Sequence, residues 1–137
     1  MADIVFTITS RNGNKALGTL SWAAKELTAS VVSGDSNHAA TNVGTWTARR
    51  SLLLDKPAGS IFCDGITSGS SIGHCWFQAF DDQFGRTEIG IHPDGGVPNA
   101  TAGCIGLKQA DTKAWYDAFF AIPAGGTLSV EVKEALV

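Results

Sequence analysis

Residues 3–9, DIVFTIT, alternate apolar and polar side chains, the period of two expected of a strand that buries one face. The pattern returns at residues 17–22 and 26–32, and the short Ala-Ala-Lys-Glu link between these runs predicts a hairpin. Gly13 in the Arg-Asn-Gly-Asn stretch marks an earlier turn. A polar loop, SGDSNHAATNVG, follows, and strand character resumes with GTWTARRSLLL. Residues 56–73 are rich in Gly, Ser, Pro and Asp, with residues 61–63 as a strand-like patch. Because strands flank this stretch on both sides, it reads as an ordered loop or lid and not as a linker. Further strands are predicted at residues 74–80 (HCWFQAF) and 87–91 (TEIGI).

The period changes once. Ala114, Trp115, Ala118, Phe119 and Ile122 recur at helical spacing, predicting a helix over 108–122, with Asp111 near its start and Pro123 and Gly125 ending it. Trp115, Phe119 and Phe120 are read as core, and Trp22 and Trp46 as structural. Residues 127–132 (TLSVEV) close the chain with a clean strand alternation. The expected architecture is a mainly β single domain over 1–137 with one late helix and no internal repeat.

Composition narrows the function classes. A chain of 137 residues with 44% hydrophobic and 17% charged side chains can bury one core and is not disordered. A net charge of −3 without a basic run argues against a nucleic-acid partner. No apolar stretch reaches the length of a membrane-spanning helix. The first residues lack the basic and apolar regions of a secretory signal, so action outside the cytoplasm would require other delivery machinery. Cys63, Cys75 and Cys104 are too few, and odd in number, for a disulfide scaffold. Cys63 and Cys75 are read as small buried apolar residues, in preference to a disulfide that would leave Cys104 as a thiol. A zinc site is disfavoured, since no Cys-x-x-Cys pair is present and adjacent His74 and Cys75 would point to opposite faces of a strand.

The chemistry concentrates in IGIHPDGGVPNATAGCIGL, residues 89–107. His92 follows one apolar run, and Cys104 lies behind a Thr-Ala-Gly turn and ahead of another. A thiolate attacks carbonyl carbon, and an imidazole beside it takes the thiol proton. Gly103 allows a sharp turn that could aim backbone N–H groups at a developing oxyanion.

These residues resemble the L,D-transpeptidase (YkuD-type) catalytic domain. That family has an upstream histidine and a Ser/Thr-His-Gly-Cys motif, and His92 and Thr101-Ala102-Gly103-Cys104 stand in those places. ATNVGTWTARR resembles an earlier strand segment of the family. IGLKQADTKAWYDAFFAIPAGGTLSVEV follows the family's order of turn, short helix and last strand, so the likeness runs from about Leu17 to the C-terminus. It is nearest to the short type VI secretion effector-like members. The resemblance implies a β-sandwich or barrel with one short helix after the cysteine. It implies Cys104 as nucleophile, His92 as general base and then acid, and the Gly103 and Cys104 N–H groups as oxyanion hole. The imidazole would be oriented by the Pro93 carbonyl, with Asp94 as the alternative. Substrate contacts would fall to Thr101, Asp94, Asn99, His74 and Trp76, and to the loop around Asp35 and His38, with no metal or cofactor.

The implied reaction is attack on the bond between the L-centre of diaminopimelate and the terminal D-alanine of a peptidoglycan tetrapeptide stem. Water or an amine then resolves the acyl-enzyme, as an L,D-carboxypeptidase or a transpeptidase. Partners would be the stem peptide, an immunity protein and a secretion-apparatus component, with action in the periplasm. Two departures stand out. Ala102 replaces the family's histidine, and Gly106 replaces a polar or basic residue two positions after the cysteine, which together favour hydrolysis over exchange.

Other readings are a phage or housekeeping cell-wall enzyme, an NlpC-type amidase, and a non-catalytic β binding module with an inert cysteine. In NlpC-type enzymes the cysteine precedes the histidine, the reverse of the order here. Several side chains also have bland readings. His74 is equally well a hydrogen-bonded structural residue, Trp76 and Phe80 pack in the core more readily than in a groove, and His38, Arg49 and Arg50 are solvated.

Overall fold

A computed structural model describes residues 2–35, 38–56, 75–81, 89–93, 103–108 and 112–137. Its described strands are β1 (Ile4–Asn12), β2 (Lys15–Trp22), β3 (Leu27–Ser33), β4 (Gly44–Asp55), β5 (Trp76–Phe80), β6 (Gly90–Pro93), β7 (Ile105–Leu107) and β8 (Thr127–Glu134). They close into a barrel in the order β1-β2-β3-β7-β6-β5-β4-β8. Closure leaves no open sheet edge among the described strands. Two neighbouring pairs are parallel, β1 with β8 and β6 with β7, and the other pairs are antiparallel.

The alternation read from the sequence becomes the inside and outside of this barrel. Ile4, Phe6 and Ile8 of β1 are completely buried, and the residues between them are half-buried. Leu20, Val31, Trp46, Ala48, Trp76, Phe80, Ile91, Ile105, Leu107, Val130 and Val132 join them in one continuous core. Each such side chain removed from water contributes on the order of 1.5–3 kcal/mol before the loss of chain entropy is counted. The expected hairpin between β2 and β3 is present. Its link forms a single 3-10 turn, Ala23–Lys25, closed by Glu26 in the left-handed region at φ 55°.

The helix α1 (Lys113–Phe120) is shorter than the predicted span. Residues 109–111 lie outside the described set, and at the other end the Ile122 N–H reaches the Phe119 carbonyl as the chain tightens before Pro123. The buried face of α1 is Trp115, Ala118 and Phe119. Phe119 stacks obliquely on Trp22, the last residue of β2, with ring centroids 5.0 Å apart, and on Trp76, the first residue of β5, at 5.7 Å. The Trp76 indole N–H donates to the Thr112 hydroxyl at 3.2 Å, fixing the helix start against β5. Burial of the Tyr116 phenol, with a hydrogen bond to Asp55 at the end of β4, raises its pKa above the ordinary value and favours the neutral, donating form.

Two expectations are corrected here. Phe120 is not core: it is 58% exposed and lies under the Arg50 guanidinium, 4.5 Å from the ring centroid. Arg50 is correspondingly not simply solvated, since its Nε also donates to the Phe120 carbonyl. No described helix is long and apolar enough to cross a membrane.

Candidate active site

Strands β6 and β7 bring His92 and Cys104 together. They run parallel with Ile91 opposite Ile105, His92 opposite Gly106 and Pro93 opposite Leu107. Successive residues of a strand face opposite sides, so Ile91, Ile105 and Leu107 enter the core while His92 and Gly106 face the outside of the barrel, and Cys104 immediately precedes β7. Strands about 4.8 Å apart and a two-residue offset of about 6.6 Å place the two Cα atoms roughly 8 Å apart. A cysteine and a histidine side chain leaning toward each other can close that gap. Both residues are nevertheless 4% exposed. A charge pair formed there is shielded little by water.

The imidazole is held in one orientation. Its Nδ1–H donates to the carbonyl of Pro93 at 3.0 Å, within the same strand end. That bond places a proton on Nδ1, which makes Nε2 the accepting nitrogen of the neutral ring. Proline supplies a carbonyl but no side-chain acceptor, and the carbonyl suffices here. The Phe77 ring braces the imidazole on the other side, 6.4 Å between centroids, with the Lys56 ammonium 5.8 Å from the Phe77 centroid. Close approach of β5 and β6 depends on Gly90, where a Cβ would lie 2.2 Å from the Gln78 carbonyl oxygen.

Phe77, and not Trp76, is the β5 aromatic that lies beside His92. Both faces of HCWFQAF carry aromatics, so the strand phase could not be read locally. Trp76 is completely buried inside the barrel and has no access to the outer face on which His92 lies. Asp94, Asn99, Thr101, Ala102 and His74 lie outside the described residues. His38 Nδ1 lies 2.9 Å from the Asp35 carboxylate beyond β3.

At the cysteine, Gly103 adopts φ +112°, a conformation that L side chains rarely take. Its carbonyl accepts a hydrogen bond of 3.1 Å from the hydroxyl of Ser33, the last residue of β3, and the same hydroxyl accepts from the Thr41 N–H at 2.9 Å. Ser33 is completely buried. Sequence reasoning missed it, because a serine opening a polar loop carries no local sign of a contact 70 positions away.

Cys104 keeps its thiol, whereas Cys75 is disulfide-bonded. The reading of Cys75 as a small apolar residue is therefore corrected, and Cys63 lies outside the described residues. Alkylation in denaturant without reductant is expected to modify a single thiol per chain, mapped to Cys104 by peptide mass; a second modified cysteine would contradict this. Among the described residues no group of three or more His, Cys, Asp or Glu side chains could hold a metal ion.

No family model, no curated protein and no solved structure matches this chain.

Proposed function

We propose that the protein is a cysteine acyl-transfer enzyme of the L,D-transpeptidase type that acts on peptidoglycan stem peptides, and that hydrolysis to the tripeptide is its main outcome. The observation that supports this reading is the parallel β6–β7 register, with His92 on one strand, its Nδ1 bonded to the Pro93 carbonyl, and Cys104 directly ahead of the strand beside it. The mainly β barrel with a single described helix after the cysteine suits the resemblance of the 89–107 motif to that family.

Cys104 gives its proton to His92 Nε2 and attacks the carbonyl carbon of the diaminopimelate–D-alanine bond. The tetrahedral oxyanion is received by the backbone N–H groups of Gly103 and Cys104. The imidazolium, its charge eased by the Pro93 carbonyl on Nδ1, protonates the amine of D-alanine as the C–N bond breaks. Water, deprotonated by His92, then attacks the thioester, releasing the tripeptide stem and returning the proton to sulfur. Opposite His92 stands Gly106, which offers no side chain to position an acceptor amine, and this favours water as the second nucleophile.

The disulfide at Cys75 fits action in an oxidising compartment such as the periplasm. Together with the resemblance to short effectors, it supports an antibacterial role, with an immunity protein and a secretion component as partners. Incubation of the purified protein with tetrapeptide-rich peptidoglycan is expected to convert tetrapeptide to tripeptide stems with release of D-alanine, read by mass spectrometry of muropeptides. Unchanged muropeptides would overturn the proposal, and cross-linked or exchanged stems without cleavage would overturn its hydrolytic part.

A further inference from the structure

We infer that Ser33 is a positioning residue that sets the Gly103–Cys104 peptide so that the Cys104 N–H faces the oxyanion; this rests on the acyl-transfer reading above. The peptide plane in question follows a glycine at φ +112°. Without a Cβ, Gly103 has little steric preference to hold that plane in one of its two orientations. A hydrogen bond to the carbonyl can do so.

Ser33 supplies it from the neighbouring strand, where it stands opposite Ile105 in the β3–β7 ladder. A hydroxyl has one proton. The Thr41 N–H donates to the Ser33 oxygen at 2.9 Å, which turns the hydroxyl proton toward the Gly103 carbonyl at 3.1 Å. No described peptide is cis, so with the Gly103 carbonyl held toward Ser33, the Cys104 N–H points the opposite way. The turn behind Ser33 is itself fixed, since the Ala40 N–H donates to the Asn14 carbonyl at 2.9 Å. Ser33 thus carries the position of a rigid barrel strand into the orientation of a soft glycine peptide.

Two reactions of the same sulfur separate this role from a general loosening of the site. Acyl transfer develops an oxyanion, whereas alkylation by iodoacetamide displaces iodide at a saturated carbon and develops none at the attacked centre. Ser33→Ala is expected to lower kcat for cleavage of a disaccharide-tetrapeptide about 10–100-fold with KM within about threefold, as for a misaimed oxyanion donor. The alkylation rate of Cys104 is expected to stay within about twofold, with both rates taken below the variant's melting transition. Ser33→Thr, which keeps the hydroxyl, is expected to restore most of kcat. An unchanged kcat in Ser33→Ala, or acylation and alkylation falling in equal proportion, would overturn the inference while leaving the enzyme reading intact. A wild-type protein inactive on the same substrate would remove the reading itself, and the inference with it.

Discussion

Cys104→Ala is expected to lower kcat/KM on tetrapeptide stems by roughly 10⁴-fold or more, with the melting temperature within a few degrees of wild type. The effect is large because in the proposed mechanism the thiol itself forms the acyl-enzyme. His92→Ala is expected to produce a fall of similar order, since an undeprotonated thiol is a poor nucleophile and the leaving amine would have no proton donor. The double variant should be little worse than either single one. Residues that act as a unit lose their joint contribution when either is removed. Steady-state rates for the four proteins, with circular dichroism spectra to establish folding, decide the matter. Full activity in Cys104→Ala would exclude the thiol as nucleophile and move the chemistry to another group, whereas a wild type inactive on the same stems would favour a non-catalytic module. Independent, multiplying losses would mean that His92 and Cys104 do not act together.

The part of this fold legible in the sequence is the part set by local alternation. Ile4, Phe6 and Ile8 announce β1 because a barrel needs one apolar face per strand, and Val130 and Val132 announce β8 in the same way. The pairing of those strands is another matter. The contacts of β1 with β8 and of β6 with β7 are parallel, and parallel strands cannot be joined by a two-residue hairpin, so no local turn chemistry specifies their register. β6 and β7 are also only four and three residues long, too short to show a period. Their apolar residues and the motif around Cys104 drew attention to them where periodicity could not.

The candidate site divides along the same line. His92, Pro93, Gly103 and Cys104 stand out in the sequence as candidates because a histidine and a cysteine flanked by apolar runs are unusual neighbours. Ser33 and Phe77 do not: one is an ordinary serine at a strand end, and the other shares its strand with an equally plausible Trp76. Both act through long-range packing that a linear reading does not contain. Phe120 shows the converse error. It is adjacent to the buried Phe119 in sequence, yet one helical step of about 100° carries it off the apolar stripe and onto the surface.

That pair of phenylalanines gives the largest expected effect on stability. Phe119→Ala should destabilise the protein by about 3–5 kcal/mol, the range for deleting a fully packed phenylalanine. The ring is 1% exposed and touches both Trp22 and Trp76, so its loss opens a cavity at the junction of helix, β2 and β5. The surrounding indoles cannot easily collapse into that space, because the Trp76 N–H is tied to Thr112. For a domain of this size the change corresponds to a fall in Tm of about 10–20 °C. Phe120→Ala should move Tm by no more than about 3 °C, since it removes an exposed ring and one cation–π contact worth about 0.5–1 kcal/mol. The contrast also bears on function. Trp76 leads directly into Phe77, whose ring lies against His92, so a loosened Trp76 weakens the support of the imidazole that the proposed mechanism uses as base. Phe119→Ala should therefore lose activity on warming before its melting midpoint, while Phe120→Ala tracks wild type throughout. Thermal denaturation followed by circular dichroism, with activity measured at each temperature, tests both statements. Equal melting temperatures for the two variants would show that α1 is not part of the barrel core, and would remove the link from the helix through β5 to the imidazole.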